Sequence, residues 1–380
     1  MAPQWPTAGQ AAITVSGSGD FSSPGQTPTP TASTAKLMTA YVFLLRYPLW
    51  PGKTGPSFTV SAAEASRYSG RLARSESVVP LRAGQRITER HALQALLGTS
   101  ANNVADELAR WYGSTPGGFV AEMNRTAHQL GMYQTTYTSP SGLDATSVST
   151  ASDQVRLLRT DLRLPDFAAL ASSSYTDVLG HRHANTNPLL GRDGVFAGKT
   201  GRTTPAGHNL VFAAYRDIAG RNRLVIGAVM AQPSASALTA AATKLLAATD
   251  GALVRAPVVR AGETLAWARD GWGNSIALRA REDLSVTGPP GATATLDVEP
   301  GVSLPVGTPV NTTAAHVVLT GLRPAGAPVT DSRIEGYAES GGTRSGVSVA
   351  LRTEATLPGA PPLFVLPFHP LSWLAQAVTA

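Results

Sequence analysis

Cysteine is absent from this chain, so neither a disulfide framework nor thiolate chemistry is available to it. No apolar run approaches the roughly 18 residues a spanning helix needs, so nothing here is expected to cross a bilayer. Any membrane association would come through segments outside this chain. The first residues, Met1-Ala2-Pro3-Gln4-Trp5-Pro6, have no charged n-region and no apolar h-region. The expectation is a mature or trimmed chain carrying an added initiator Met. Charge is sparse, at 15% of residues with a formal net charge of +6. The positive side chains are scattered singly, without the basic cluster and interleaved aromatics of a nucleic-acid binder. Lysine is scarcer still, with four among the 31 positive residues. Arginine cannot be deprotonated in a protein, whereas a buried lysine can become a base. Two of the four lysines fall inside Ser33-Thr34-Ala35-Lys36 and Lys199-Thr200-Gly201.

What is present suits a sheet-and-loop protein facing the outside of a cell, being rich in Gly, Pro, Ala and Thr. At 380 residues two domains are expected, and 43% apolar content is ample for their cores. Ala11 to Val15, Asn209 to Tyr215 and Arg223 to Met230 read as strands that could share one sheet. Ala35 to Leu45 reads as a buried helix ended by Pro48. His91 to Leu97 and Asn102 to Trp111 carry helical spacing on either side of the break Gly98-Thr99-Ser100-Ala101. Phe119 to Leu130 is a further amphipathic helix, with Gly131 as its stop. After residue 253, short alternating runs at Ser275 to Ala280, Leu284 to Thr287, Thr293 to Val298, His316 to Thr320 and Val347 to Thr353 predict a small all-β domain. Domains are therefore expected at 1–252 and 253–356, with a proline-rich tail at 357–380.

Ser-x-x-Lys at a helix start puts a hydroxyl and an amine on one face. The electropositive helix end favours an alkoxide at Ser33, and an unprotonated Lys36 could take its proton. The amine must fall from about 10.4 toward roughly 7 to 8, through burial and a second cation. Lys199 is the candidate for that cation. Alone the motif is weak, but Ser100-Ala101-Asn102 follows 67 residues after Ser33, and Lys199-Thr200-Gly201 follows 166 after it. That ordered triple marks the active-site serine penicillin-interacting enzymes. A second Lys-Thr-Gly, at Lys53, lies between Pro51 and Pro56 and precedes Ser100, so the copy at Lys199 is preferred. Neither copy has the glycine a phosphate loop requires.

With these motifs the chain resembles the low-molecular-mass penicillin-binding proteins of the serine D-alanyl-D-alanine carboxypeptidase family. The likeness extends through Met123-Asn124, Leu130-Gly131, Thr138 to Asp144, Ser149-Thr150-Ala151, Asn185 to Leu190 and Ala206 to Val211. It covers roughly residues 5 to 250, and more faintly the β-rich part from Trp272. The resemblance implies an α+β transpeptidase fold like that of serine β-lactamases, an antiparallel sheet flanked by helices, followed by a small all-β domain. It implies that Ser33 attacks the carbonyl between two D-alanines, with Lys36 as base and Ser100 passing a proton to the leaving amine. Asn102 would bind the substrate backbone, and Lys199, Thr200 and Gly201 with Arg202 would hold its carboxylate end. The N–H groups of Ser33 and Arg202 would form the oxyanion hole. No metal and no cofactor are implied. The implied partners are peptidoglycan stem peptides and covalently inhibiting β-lactams, on the outer face of the bacterial cytoplasmic membrane.

One departure is visible: relatives often carry a carboxylate-binding arginine on the helix after the last sheet strand, and Gln232 to Leu245 has none. Arg202 is the expected substitute. A D,D-endopeptidase and a catalytically silent wall-binding protein stay open as alternatives. A serine β-lactamase is disfavoured, because no glutamate stands between Glu122 and Glu263 to deacylate. Glu64 and Glu76 are expected on solvated faces. His181 and His183 lack the acidic or thiol partners of a zinc site. Trp111, Trp272 and Trp373 are expected to be packing residues.

Overall fold

The computed structural model describes residues 4–113, 115–178 and 181–269, then 275–280, 283–288, 290, 293–299, 316–323, 338–339 and 351–356. The chain divides into two compact units, one of Ala2–Asp217 with Asn222–Ala248, the other of Thr249–Ala380 with Ile218–Arg221.

The first unit begins with strands β1 (Gln10–Val15) and β2 (Gly19–Ser22), followed by a 3₁₀ turn, Ala32–Ala35, and helix α1 (Lys36–Arg46). Helices α2 (Glu89–Leu97), α3 (Asn102–Trp111), α4 (Pro116–Gln129) and α5 (Ala151–Asp161) come next. Strands β3 (Val195–Thr203), β4 (Gly207–Ile218) and β5 (Arg221–Gln232) and helix α6 (Ala235–Ala247) complete it. The sheet order is β2-β1-β5-β4-β3, so the two ends of the segment do meet in one sheet, with β3 at its edge. Its β1–β5 pairing is antiparallel, Ile13 opposite Gly227.

On β4 every residue from Asn209 to Ala214 is buried, so both faces of the sheet are covered. Val211 and Ala213 join one large apolar cluster with Leu37, Met38 and Phe43 of α1 and with Leu93, Leu108, Phe119 and Leu158 of α2 to α5. Helix α1 is buried from Lys36 through Leu44, which makes it the hub the other helices pack on. Trp111 is buried and stacks on Phe58 with ring centroids 4.7 Å apart. Helix α6 buries Leu238, Ala242, Leu245 and Leu246, one stripe of its surface.

Helix starts show a division. Thr88, Thr115, Thr150 and Ser234 cap α2, α4, α5 and α6 with their hydroxyls. Helices α1 and α3 begin without any side-chain cap. In front of α1, the sequence read Ser33 as lying at the helix start itself. It lies instead in the 3₁₀ turn, because Ala32 takes φ +48 and bends the chain sharply before α-helical bonding begins. Helix α5 escaped the sequence reading because buried Asp153, Gln154 and Asp161 interrupt its apolar spacing.

In the second unit, the described residues after the 3₁₀ turn Ala248–Gly251 are strands and their connections. Strands β6 (Val254–Val259), β7 (Thr264–Arg269), β8 (Ser275–Arg279), β9 (Leu284–Gly288), β10 (Thr293–Glu299), β11 (His316–Arg323), β12 (Ala338–Glu339) and β13 (Leu351–Thr356) form it. They pair as β6-β9-β12, β7-β8 and β11-β10-β13. Trp272, Trp373, residues 347–350 and the proline-rich stretch 357–380 lie outside the described residues.

The turn at Ala32 is held from behind by Gly142, whose φ is +71 and whose added Cβ would overlap the Ala32 carbonyl oxygen. Gly142→Ala should therefore lower stability by about 2 kcal/mol, read as a shifted urea midpoint at unchanged slope. An unaltered midpoint would show that the turn can shift to make room.

Candidate active site

The three motifs converge where α1, α3 and β3 meet. Lys36 is fully buried, and its Nζ donates to Ser33 Oγ at 2.7 Å, to Asn102 Oδ1 at 2.7 Å and to the Ser141 carbonyl at 2.9 Å. All three acceptors are neutral. Burial, and then the nearby Lys199 cation, push the Lys36 amine well below the usual lysine range, against weaker pulls from Asp106 and Glu76. Lys199 is buried as well, and its Nζ donates to Ser100 Oγ at 3.0 Å and to the Thr200 carbonyl at 2.8 Å. Burial pushes it down to about 7. Two hydroxyl–amine pairs thus face each other, Ser33 with Lys36 and Ser100 with Lys199.

Backbone strain positions both serines. Ser100 has φ +63, in the left-handed region a side chain rarely occupies, three residues past the last residue of α2. Ser33 follows Ala32, the other left-handed residue of the site. The Lys199 motif lies within strand β3, which leads into β4. Its glycines are what permit this. A Cβ on Gly201 would sit 2.7 Å from the Thr31 carbonyl oxygen and 2.9 Å from the Ser33 nitrogen, so only glycine lets β3 press against the Ser33 turn. Asn209, paired opposite Gly201 on β4, locks the same junction by donating to the Pro30 and Thr31 carbonyls at 3.0 and 2.9 Å.

The remaining sequence candidates separate. Thr200 shares a hydrogen bond with the Thr186 hydroxyl at 2.6 Å, at the exposed side of β3. Arg202 is exposed, opposite His208 on β4, and makes no part of the buried hydrogen-bond set. The Lys53 copy of Lys-Thr-Gly lies in a surface loop whose Trp50 and Lys53 carbonyls accept hydrogen bonds from Arg90. His183 is half-buried, and the His181 side chain lies outside the described set. Among the described residues no group of His, Cys, Asp and Glu could hold a metal ion, and no helix is long and apolar enough to cross a membrane.

The carboxylates overturn an expectation. Glu64 and Glu76 are not on solvated faces, their side chains being 4% and 3% exposed. Both are drawn in by Arg71, whose Nε meets Glu64 at 2.7 Å and whose other nitrogens reach Glu76 at 2.8 Å and Asp106. Glu76 also accepts from Asn102 Nδ2 at 3.2 Å. Sequence reasoning assigned Glu76 to the surface and gave no site role to the Ser141 carbonyl or Asn209, because none carries a spacing signal.

Residues 22–234 match the family described as D-alanyl-D-alanine carboxypeptidase. The chain is 32% identical over 192 residues to a D-alanyl-D-alanine endopeptidase of Haemophilus influenzae, covering 48% of this chain and 61% of that protein. It is 37% identical over 156 residues to the D-alanyl-D-alanine carboxypeptidase DacB2 of Mycobacterium tuberculosis, covering 39% and 52%. Among solved structures, the Streptomyces K15 DD-transpeptidase superposes with a TM-score of 0.57 at 26% identity, over 65% of this chain and 98% of that one. The chain spans about three fifths of the length of the curated relatives it matches first.

A lysine with a depressed native pKa binds fewer protons when folded, so its contribution to stability rises with pH between the native value and about 10.4. For Lys199 that window opens at about 7. From pH 7 to 9.5 the natural chain should gain on the order of 1 to 3 kcal/mol relative to Lys199→Met in urea unfolding. Parallel stability curves would mean that Lys199 keeps an ordinary pKa.

Proposed function

Because the chain belongs to the D-alanyl-D-alanine carboxypeptidase family, we propose that it is a serine D,D-carboxypeptidase that removes the terminal D-alanine from peptidoglycan stem pentapeptides. The observation that carries this reading is the 2.7 Å hydrogen bond between Ser33 Oγ and the fully buried amine of Lys36. With Lys36 neutral, its two N–H groups serve Asn102 and Ser141, and the Ser33 hydroxyl turns to donate to the amine's lone pair. That lone pair takes the Ser33 proton as Oγ attacks the carbonyl carbon of the D-alanyl-D-alanine bond. The developing oxyanion is received by the N–H groups of Ser33 and Arg202, a type of donor whose loss typically costs about 10² to 10³ in rate. Ser100, held by Lys199, relays a proton to the departing amine. The C–N bond breaks, D-alanine leaves, and water hydrolyses the Ser33 ester.

Binding follows from the edge position of β3. An extended peptide can lie along this strand, as peptides commonly add to exposed sheet edges. Asn102 would hold its backbone, and Lys199, Thr200, Gly201 and Arg202 its carboxylate end. β-Lactams, which present a strained amide beside a carboxylate, would acylate Ser33 and remain. Such substrates place the enzyme outside the cytoplasmic membrane, at the cell wall. The β-rich part from residue 253 to 356 would then serve as a separate domain giving reach, and 357–380 as a tail beyond it.

A D,D-endopeptidase is the second reading. It is favoured by the arginine-free helix α6 and by the endopeptidase names of several relatives. The same nucleophile and base would then cleave cross-links in place of stem termini.

Peptide mapping after penicillin treatment should place the acyl adduct on Ser33, and an adduct on Ser100 would reverse the roles of the two serines. Lys36→Arg should abolish acylation, since arginine cannot accept a proton, while Lys199→Arg should keep partial activity. Equal losses would mean that the base is misassigned. Arg202→Ala should raise KM for peptides ending in a free carboxylate far more than for their amides. A uniform effect on both would remove Arg202 from carboxylate binding.

A further inference from the structure

Asn102 has a side chain whose two ends are nearly the same shape and opposite in hydrogen-bonding sense. Its Oδ1 accepts from Lys36 at 2.7 Å, and its Nδ2 donates to Glu76 Oε2 at 3.2 Å. Were the amide reversed, Oδ1 would face a carboxylate and Nδ2 would face an amine that must offer a lone pair. An ionised Glu76 can only accept, so it permits one orientation. Burial pushes this carboxyl up, but hydrogen bonds from Arg71, Asn102 and Arg74 more than offset that and leave it below the usual glutamate range.

The carboxylate is itself immobilised. Glu76 Oε2 takes Arg71 Nη1 at 2.8 Å, and Oε1 takes Arg74 Nε and Nη2 at 3.0 and 2.8 Å. Its main chain is tied too, the Glu76 N–H donating to the Arg71 carbonyl at 3.1 Å and the Asn102 N–H to the Ser77 carbonyl at 2.7 Å. The start of α3 is thus bound to this segment through both backbone and side chain, which supplies the anchoring that its absent N-cap does not.

Resting on the reading of Lys36 as base, we propose that Glu76 is a positioning residue of the acylation reaction: through Asn102 it fixes the acceptor that aims the Lys36 amine at Ser33, and its charge supports the proton Lys36 takes up. The charged groups facing Lys36 are Lys199, Asp106, Glu76 and Arg71. Lys199 and Arg71 oppose protonation, while Asp106 and Glu76 favour it. Glu64 shares Arg71 but is not among them, so it separates a loosened Arg71 clamp from a direct effect on the base.

The test is the pH dependence of single-turnover acylation by a chromogenic cephalosporin. For Glu76→Gln the acid limb should move to lower pH by about one unit, because a negative charge that raised the Lys36 pKa is gone. The plateau should also fall about tenfold or more, because glutamine can donate to Oδ1 and no longer enforces the amide orientation. Glu64→Gln should lower the unfolding midpoint while leaving the acid limb in place. Glu76→Asp keeps the charge on a shorter arm, so its acid limb should stay while its plateau drops, and it serves if the glutamine variant fails to fold. An unmoved limb and plateau in Glu76→Gln, a full plateau in Glu76→Asp, or the same shift in Glu64→Gln would overturn the proposal. Failure of the natural chain to acylate at all would instead strike the enzymatic reading it rests on.

Discussion

A lysine amine taken out of water must find an anion or lose its proton, and the surroundings of Lys36 push it toward the second course. Its direct partners are a hydroxyl, an amide oxygen and a peptide carbonyl, all uncharged. Another cation, Lys199, stands within reach. Two carboxylates lie farther back and soften the effect without cancelling it. Each partner comes from a different part of the chain: Ser33 from the turn before α1, Asn102 from the start of α3, Ser141 from the loop after α4. The helical cluster around α1 has to be complete before this environment exists. The proposed base and the core packing therefore rest on the same helix.

The site also shows where the fold departs from its own local rules. Of the helices α1 to α6, four begin with a Ser or Thr cap, while α1 and α3, which carry Lys36 and Asn102, begin uncapped. Both are entered through or near a non-glycine residue at positive φ, Ala32 and Ser100. A cap is typically worth about 1 kcal/mol, and a left-handed residue costs about as much. These local losses are offset by tertiary ties: Asn209 to the Pro30–Thr31 carbonyls, Gly142 against Ala32, and Ser77 to the Asn102 N–H. Some of the departures from local consistency thus fall at the candidate site, where proteins commonly tolerate them.

Much of this was legible in the sequence. Motif order and spacing brought Ser33, Lys36, Ser100, Asn102 and Lys199 together, and a shortage of lysine singled out two of them. The strands with β-branched and apolar content were readable at β1, β4 and β5. Strand β3 was not, because Gly198-Lys199-Thr200-Gly201 looks like a loop until neighbouring backbone at Thr31 and Val211 demands glycine. Glu64 and Glu76 were misplaced for a similar reason. Exposed carboxylates are the norm, and only the three-dimensional convergence of Glu64, Glu76 and Asp106 on Arg71 makes them buried. Ser141 contributes a carbonyl, which no sequence pattern can flag.

The central claim is that Lys36 is neutral when Ser33 reacts. The most direct measurement is a heteronuclear NMR titration of the Lys36 side chain in the folded protein, compared with the pH dependence of Ser33 acylation. A Lys36 midpoint well below the ordinary lysine value of about 10.4, coinciding with the acid limb of acylation, is the result expected. A Lys36 that stays protonated to pH 10 while Ser33 is acylated at neutral pH would contradict it.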